Sequence, residues 1–371
     1  MQGHVRKRGK KWCFVLDVGR DPATGKRKQK WFSGYATKKE AQRAMSEKIA
    51  EINRGDYIEP TKMNLADFLD TWLREEVKGS RSAHTFDMYS TLIRNHIKPD
   101  LGSLPLDKLA PLHIQKFMSQ MTEKNLSAST VNYALLVLKT ALSWAVDMEM
   151  IPKNPAQKIT PKTKPKPRMN VWTPEEVARF LRTAKDNRYF TAFHLALSTG
   201  MRIGEILGLH WEDVDLDDGM IRVRRMLEES SKGSRIVERT KSDAGRRSIA
   251  LTDESVEVLK RHRANQKQEM LILGYRSDLV FMNMKGKPIS SRGLRYHFDG
   301  CIKLAEVPKI RFHDLRHTHA TLLLRQGVHP KVVQERLGHS SITMTLDRYS
   351  HVIPSMQKEA AQSLGNIMQN G

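Results

Sequence analysis

Cysteine is nearly missing from this sequence: Cys13 and Cys301 are the two present in 371 residues. That excludes a disulfide framework and a cysteine-ligated metal site. No stretch reaches the roughly 18 uninterrupted apolar residues of a membrane span, and the first residues lack the apolar core of a secretory signal. Acidic residues are scarce beside basic ones, 41 against 63, for a formal net charge of +22. Such a surplus points to a polyanionic partner, nucleic acid ahead of an anionic membrane surface. The expected molecule is soluble, basic and cytoplasmic, with two or three domains of about 100–200 residues each.

What is present falls into blocks. Residues 1–60 are short and strongly basic. Trp12 to Val18 reads as a strand, Asp21-Pro22-Ala23-Thr24-Gly25 as a turn and Lys28 to Phe32 as the returning strand, with His4 to Arg8 as a third. Thr37 then caps a helix through about Asn53. A small sheet carrying Arg6, Arg8, Lys10, Lys11 and Lys30 could lay a face in a DNA groove. Residues 64–158 carry four helical stripes, led by Leu65, Phe86, Ile114 and Val131, which predict an independent helical bundle. Pro99, Gly102 and Pro105 are expected to break the second helix. Residues 159–170 form a basic, proline-rich linker.

From 171 to 371 the pattern is mixed but mainly helical. Thr173-Pro174-Glu175-Glu176 starts one helix, and Gly200 stops another just before Arg202. Short strands are expected at 213–218, 221–223, 236–240 and 247–251, and helices at about 253–268 and 291–304. The fold class is therefore multidomain and mainly α: a small sheet-plus-helix domain, a helical bundle and a mixed domain with a small sheet.

Chemistry concentrates between His313 and Tyr349, in the texts HDLRHT, LGHSS and DRYS. A helix starting near Asp314 puts His313 and Arg316 on one side of its first turn. Gly327 ends it, Pro330 opens a second helix closing at Leu337-Gly338, His339 follows, and Thr343 to Tyr349 makes another short, mobile piece. Arginine and histidine suit a phosphate, and tyrosine supplies a nucleophile. Upstream, TGMRIGE contributes Arg202 and RTKSDAGRRSI contributes Lys241. Any one arginine or lysine in so basic a chain is most often solvated surface charge. Six residue types in one order, inside five local texts, are not explained that way.

The set Arg202, Lys241, His313, Arg316, His339 and Tyr349 resembles the tyrosine recombinase (phage integrase) family in order and in local sequence. Over nearly the whole chain, the layout resembles the integrases of temperate phages and conjugative transposons. The resemblance implies an arm-binding domain at 1–60, a core-binding domain at 64–158 and a catalytic domain at 171–371. It implies a homotetramer on double-stranded DNA with core and arm sites, a DNA-bending host factor and a directionality factor, working on the bacterial nucleoid. Arg202 and Arg316 suit the oxyanion of a phosphodiester under attack. Tyr349 would form a 3′-phosphotyrosyl link, His313 would act as acid or base, and His339 would bond the phosphate or seat the tyrosine. Lys241 would protonate the departing 5′-oxygen, with Lys232, Lys285 and Lys287 as competitors for that place, and Glu205 would give structural support. No cofactor and no metal are implied. A tail helix from about Pro354 to Ser363 would dock on a neighbouring protomer or fold back.

Other readings use some of the same residues. Metal-dependent hydrolysis at His313, His317 and His319 lacks the glutamate that should follow the first histidine. A non-catalytic DNA-binding regulator would share the charge without needing Arg202, Arg316 and Tyr349 together. A type IB topoisomerase shares the chemistry, but the arm-like N-terminus favours a recombinase. His317, His319 and His329 are expected to cap, pack or touch solvent, with no catalytic part.

Overall fold

In a computed structural model of the chain, the described residues are 3–20, 25–53, 62–163, 170–231, 233–238, 246–349, 365 and 368. The expected turn at Asp21 to Thr24, the linker core at 164–169, Lys232, Lys241 and the tail helix lie outside them. Two compact units span Met1–Pro165 and Lys166–Gly371.

The first unit opens with an antiparallel sheet of β1 (Gly3–Arg8), β2 (Lys11–Arg20) and β3 (Arg27–Tyr35), β2 in the middle. Helix α1 (Lys38–Asn53) starts in a capping box: Thr37 Oγ1 accepts from the Glu40 N–H, and the Glu40 carboxylate accepts from the Ala36 and Thr37 N–H groups. Phe14 and Leu16 pack on Ala41 and Met45 of this helix. Successive side chains of a strand alternate faces. The register sets Arg6 against Cys13 and Trp31 against Val15, so Arg6 and Trp31 share the face away from α1. There the Arg6 guanidinium lies 3.7 Å from the Trp31 ring centre.

Helices α2 (Leu65–Trp72), α3 (Lys78–Ser80), α4 (Ala83–Leu92), α5 (Lys98–Leu101), α6 (Pro111–Glu123) and α7 (Ala128–Asp147) follow. Asn64 Oδ1 caps α2 by accepting from the Asp67 N–H at 2.8 Å. Phe68, Trp72, Ile93, Phe117 and Leu138 lie in one apolar cluster. Pro99 does not break the second stripe, contrary to expectation. A π turn at Ile93–Ile97 joins α4 to α5, and the Lys98 N–H bonds the Ile93 carbonyl five residues back. A π turn of the same kind joins α2 to α3 at Leu73–Val77 without a proline, and here the helix runs on to Leu101 although Pro99 has no N–H to give.

The second unit contains α8 (Pro174–Ala184), α9 (Phe190–Thr199) and α10 (Ile203–Leu207), then β4 (Val214–Asp215), β5 (Met220–Val223), β6 (Arg225–Ser230), β7 (Gly233–Glu238) and β8 (Arg247–Ala250). Helices α11 (Asp253–Leu273), α12 (Ser291–Ala305), α13 (Asp314–Arg325), α14 (Pro330–Leu337) and α15 (Ile342–Tyr349) complete it. One sheet has the order β4-β5-β8; β6 and β7 form a separate hairpin. Strand β6 escapes a pattern search because RMLEES has little apolar alternation. Cross-strand pairing supplies what periodicity does not: Arg235 sits opposite Glu228 and bonds it at 2.6 Å. Trp172, Phe180, Phe193, Phe298 and Phe312 form the aromatic centre of the core. Helix α13 buries Asp314, Arg316, His317 and His319 beside Leu315. Charged groups are rarely buried without partners, so this helix marks the site.

Candidate active site

Arg316 is 2 % exposed and joins two distant segments. Its Nη1 donates to the Gly200 carbonyl at 2.8 Å and its Nη2 to the Leu337 carbonyl at 2.7 Å. Gly200 caps the C-terminus of α9 and Leu337 ends α14. Both ends present carbonyls without a helical partner and carry partial negative charge, which offsets part of the cost of burying a guanidinium. Burial, followed by repulsion from Arg202, still lowers its pKa to about 9, which leaves it charged at neutral pH. Gly200 has φ +67, and a Cβ there would meet His319 Cδ2 and Leu337 Cδ2, each at 2.7 Å. The close approach needs glycine twice over.

Two residues beyond Gly200, Arg202 opens α10 and is a third exposed. Its Nη1 donates to Glu205 Oε1 at 2.9 Å, its backbone N–H to Glu205 Oε2 at 3.0 Å and its Nη2 to the Gly338 carbonyl at 3.5 Å. Glu205 is fully buried and receives a second guanidinium, Arg247, on both oxygens at 3.3 and 2.9 Å. Burial pushes this carboxyl up, but Arg247 and then Arg202 outweigh it and hold the pKa at about 2. Arg247 Nε also donates to the Arg336 carbonyl at 2.7 Å. Arg336 in turn donates to the Ser198 carbonyl at 2.9 Å. Arg202 and Arg247 thus bond one carboxylate whose charge Arg316 also feels, leaving a positive surplus.

The histidines divide by their partners. A carbonyl only accepts, so His319 Nδ1 donates to the Leu197 carbonyl at 2.7 Å and its Nε2 accepts from Arg336 Nε at 3.3 Å. Burial, followed by the Arg336 charge, lowers its pKa to about 4, so it stays neutral. His339 is buried, with Nδ1 in a 2.8 Å hydrogen bond with Thr345 Oγ1 of α15. His313 keeps solvent access on one side. The protein mass behind its ring, then Arg316, hold its pKa below the ordinary histidine value. Its ring stands edge-on to that of His317, centroids 4.9 Å apart. His317 Nδ1 shares a 2.7 Å hydrogen bond with the Tyr349 hydroxyl. Tyr349 itself is fully buried, among Ala320, Leu324, Val333 and Leu337.

Five of the six expected residues, Arg202, His313, Arg316, His339 and Tyr349, therefore meet around the ends of α9, α13, α14 and α15. Lys241 is outside the described residues. The sequence pattern gave Arg247, Arg336 and His317 no part, although each bonds directly into this cluster. The signal was available only for Arg247, one of two adjacent arginines where a short strand begins. Among the described residues no group of three or more His, Cys, Asp or Glu side chains could hold a metal ion. No helix among them is long and apolar enough to cross a membrane.

Comparison with known proteins gives this geometry a family. Residues 170–356 match the phage integrase family, 4–52 an arm DNA-binding domain and 64–122 a phage integrase N-terminal SAM-like domain. A tyrosine recombinase XerC-like protein of Caldanaerobacter subterraneus is 33% identical over 383 residues, covering 97% of each chain. The ICEBs1 integrase of Bacillus subtilis is 30% identical over 285 residues, covering 75% of this chain and 76% of that one. A structure of the Tn1549 transposon integrase in complex with a circular intermediate DNA matches with a TM-score of 0.69 at 27% identity, over 81% of this chain and 99% of the other. The chain belongs to the phage integrase family. As an enzyme it is a tyrosine-type site-specific recombinase, multidomain and mostly helical, of the kind that integrates and excises mobile elements.

Proposed function

We propose that the chain cleaves and rejoins double-stranded DNA at a crossover site through a 3′-phosphotyrosyl link to Tyr349. The observation that carries this is Arg316, which gathers the segments bearing Arg202 and His339 around its own helix. Each terminal nitrogen of a guanidinium carries two N–H groups, so one carbonyl apiece leaves Arg316 further donors for a nonbridging phosphate oxygen. Arg202, partly exposed, takes the other. Attack by the tyrosine builds charge on those oxygens, and donors already held in place by Glu205, Gly200 and Leu337 need not reorganise to meet it. His339, tied to Thr345, seats α15; His313 acts as acid or base; Lys241 protonates the departing 5′-oxygen.

The remaining domains divide the DNA among themselves. Residues 1–60 read arm sites with the sheet face bearing Arg6, Arg8 and Trp31, residues 64–158 bind the core site, and 171–371 carry out the chemistry. Four copies on two duplexes exchange strands, with a bending factor and a directionality factor assisting, on the nucleoid of a bacterial host. Support comes from relatives that include the Tn1549 integrase with its circular intermediate DNA. The test is a nicked suicide duplex bearing the crossover site, incubated with protein in chelator. A denaturation-resistant protein–DNA adduct is expected. Tight binding without an adduct would leave a DNA-binding regulator instead.

A further inference from the structure

We propose that Arg6 reads one guanine of the arm site, with Trp31 as the positioning residue that holds its guanidinium over the middle of the sheet. This rests on the reading above, in which residues 1–60 bind arm DNA, and names the side chain that gives this binding its sequence preference. A basic surface by itself binds any duplex, because contacts to phosphate carry no sequence information. Preference comes from groups that reach the base edges. The major groove, where every base pair presents a different pattern, is wide enough to admit a pair of strands.

The strand register narrows the candidates. On the face away from α1 the middle strand contributes Cys13 and Val15, both buried. Neither can address a base: the Cys13 thiol donates to the Arg6 carbonyl at 3.3 Å, and the Val15 side chain has no polar group. Arg6 stands opposite Cys13 on one edge strand, and Trp31 opposite Val15 on the other. Their side chains meet, with the guanidinium 3.7 Å from the indole ring centre. The pair therefore bridges β2 and covers Cys13 and Val15, which sets the charge at the centre of the face and not at its rim. Trp31 stays 43 % exposed beside it.

A guanidinium has five N–H donors and no acceptor. Among the described residues, no carboxylate or carbonyl takes one of those donors from Arg6. An aromatic face holds a guanidinium through its charge and leaves the N–H groups unused. Two of them in a planar fork match O6 and N7 of guanine in the major groove. Arg8 is further from the ring, at 5.9 Å, and pairs with Lys11 at the end of the two strands. With Lys10 in the turn between them, these charges sit where the phosphate walls of a groove would meet the sheet.

The test selects duplexes from a randomised pool with the full chain, for wild type, Arg6→Met, Arg6→Gln, Trp31→Phe and Trp31→Leu. Affinity and its salt dependence are then measured on the selected duplex and on versions with each guanine replaced in turn. For wild type, replacing one guanine should weaken binding by about 5- to 150-fold. Arg6→Met, which keeps an apolar stem over Cys13 and Val15, should lose the preference at that position and keep the others. Arg6→Gln should exchange guanine for adenine there, because an amide matches adenine N6 and N7. Trp31→Leu should lose most of the preference, and Trp31→Phe, which retains a ring face, should lose less. The salt slope of Arg6→Met should stay close to that of wild type. Guanine preference kept at every position by either Arg6 variant would overturn the proposal. So would an Arg6→Met that binds all duplexes more weakly by one factor with a slope lower by about 1, the mark of a phosphate contact. Wild-type preference in Trp31→Leu would make Trp31 mere cover for the strand beneath and overturn its part. Adduct formation by wild type on the suicide duplex is scored separately. A selected motif without an adduct would sink the recombinase reading and leave Arg6 as a base reader.

Discussion

Arg247 and Glu205 form a two-pronged ion pair at 2.9 and 3.3 Å, with 7 % and 1 % of their side chains exposed. Through that carboxylate Arg247 holds Arg202, which touches Glu205 with both its side chain and its backbone. A residue that no DNA need touch therefore fixes one that must. Truncating one partner of a buried pair strands the other, at about 3–5 kcal/mol. Arg247→Ala should lose stability of that order in chemical denaturation and lower the adduct rate. Arg247→Lys should recover part of the stability but less of the rate, because lysine cannot hold both oxygens.

Glu205 also predicts an acid limit. Its folded pKa of about 2 lies below the ordinary value of 4.5. A depressed carboxyl contributes stability that is complete above the unfolded pKa and is lost as pH falls through the folded one. The window is therefore pH 4.5 down to 2, and the contribution is on the order of 3 kcal/mol. Glu205→Gln should show a flatter loss of stability across that range in denaturant melts at stepped pH. Identical slopes for the two proteins would contradict it.

Gly200→Ala tests the crowding around Arg316. With φ +67 and two carbon atoms at 2.7 Å from the new Cβ, the variant has no unstrained position. A cost of about 1–3 kcal/mol is expected from the backbone alone. The Gly200 carbonyl must move, so adduct formation should fall more than DNA binding. Equal stability would mean that α9, α13 and α14 pack less tightly than described.

The legible parts of the sequence were those whose physics is local. Thr37, Asn64 and Thr173 cap helices through partners three residues away, and each cap stands where the spacing places it. His313 and Arg316 likewise share one turn. What remained illegible depends on partners far along the chain. Arg247 reaches Glu205 across 42 residues and Arg336 reaches Ser198 across 138, and in a basic sequence both look like solvated charge. Pro99 looked like a breaker because a π turn has no pattern of its own. His317 looked like packing because its partner, Tyr349, is 32 residues on and two helices away.

His313 should set the acid side of the cleavage profile. Burial and then Arg316 lower its pKa, with Arg202 and Arg311 adding to the fall and Asp314 opposing it. A lowered histidine stays neutral further into acid. The adduct rate should therefore hold until below pH 6.5, the ordinary value, before it falls. His313→Gln should lower the rate and remove that limb. A limb above pH 6.5 would contradict the assignment.

Affinity for the crossover duplex should be dominated by phosphate contacts. The logarithm of the binding constant should fall with the logarithm of salt at about −0.9 per neutralised phosphate. Removing residues 1–60 should reduce binding to arm sites while leaving core-site binding in place. A slope near zero would contradict an interface built on the +22 surplus.

The most direct measurement is to locate the covalent bond. Adduct trapped on the suicide duplex, digested with nuclease and protease and read by mass spectrometry, should carry the nucleotide on the peptide containing Tyr349, through the tyrosine oxygen. Attachment at any other residue, or an adduct that survives Tyr349→Phe, would contradict the account.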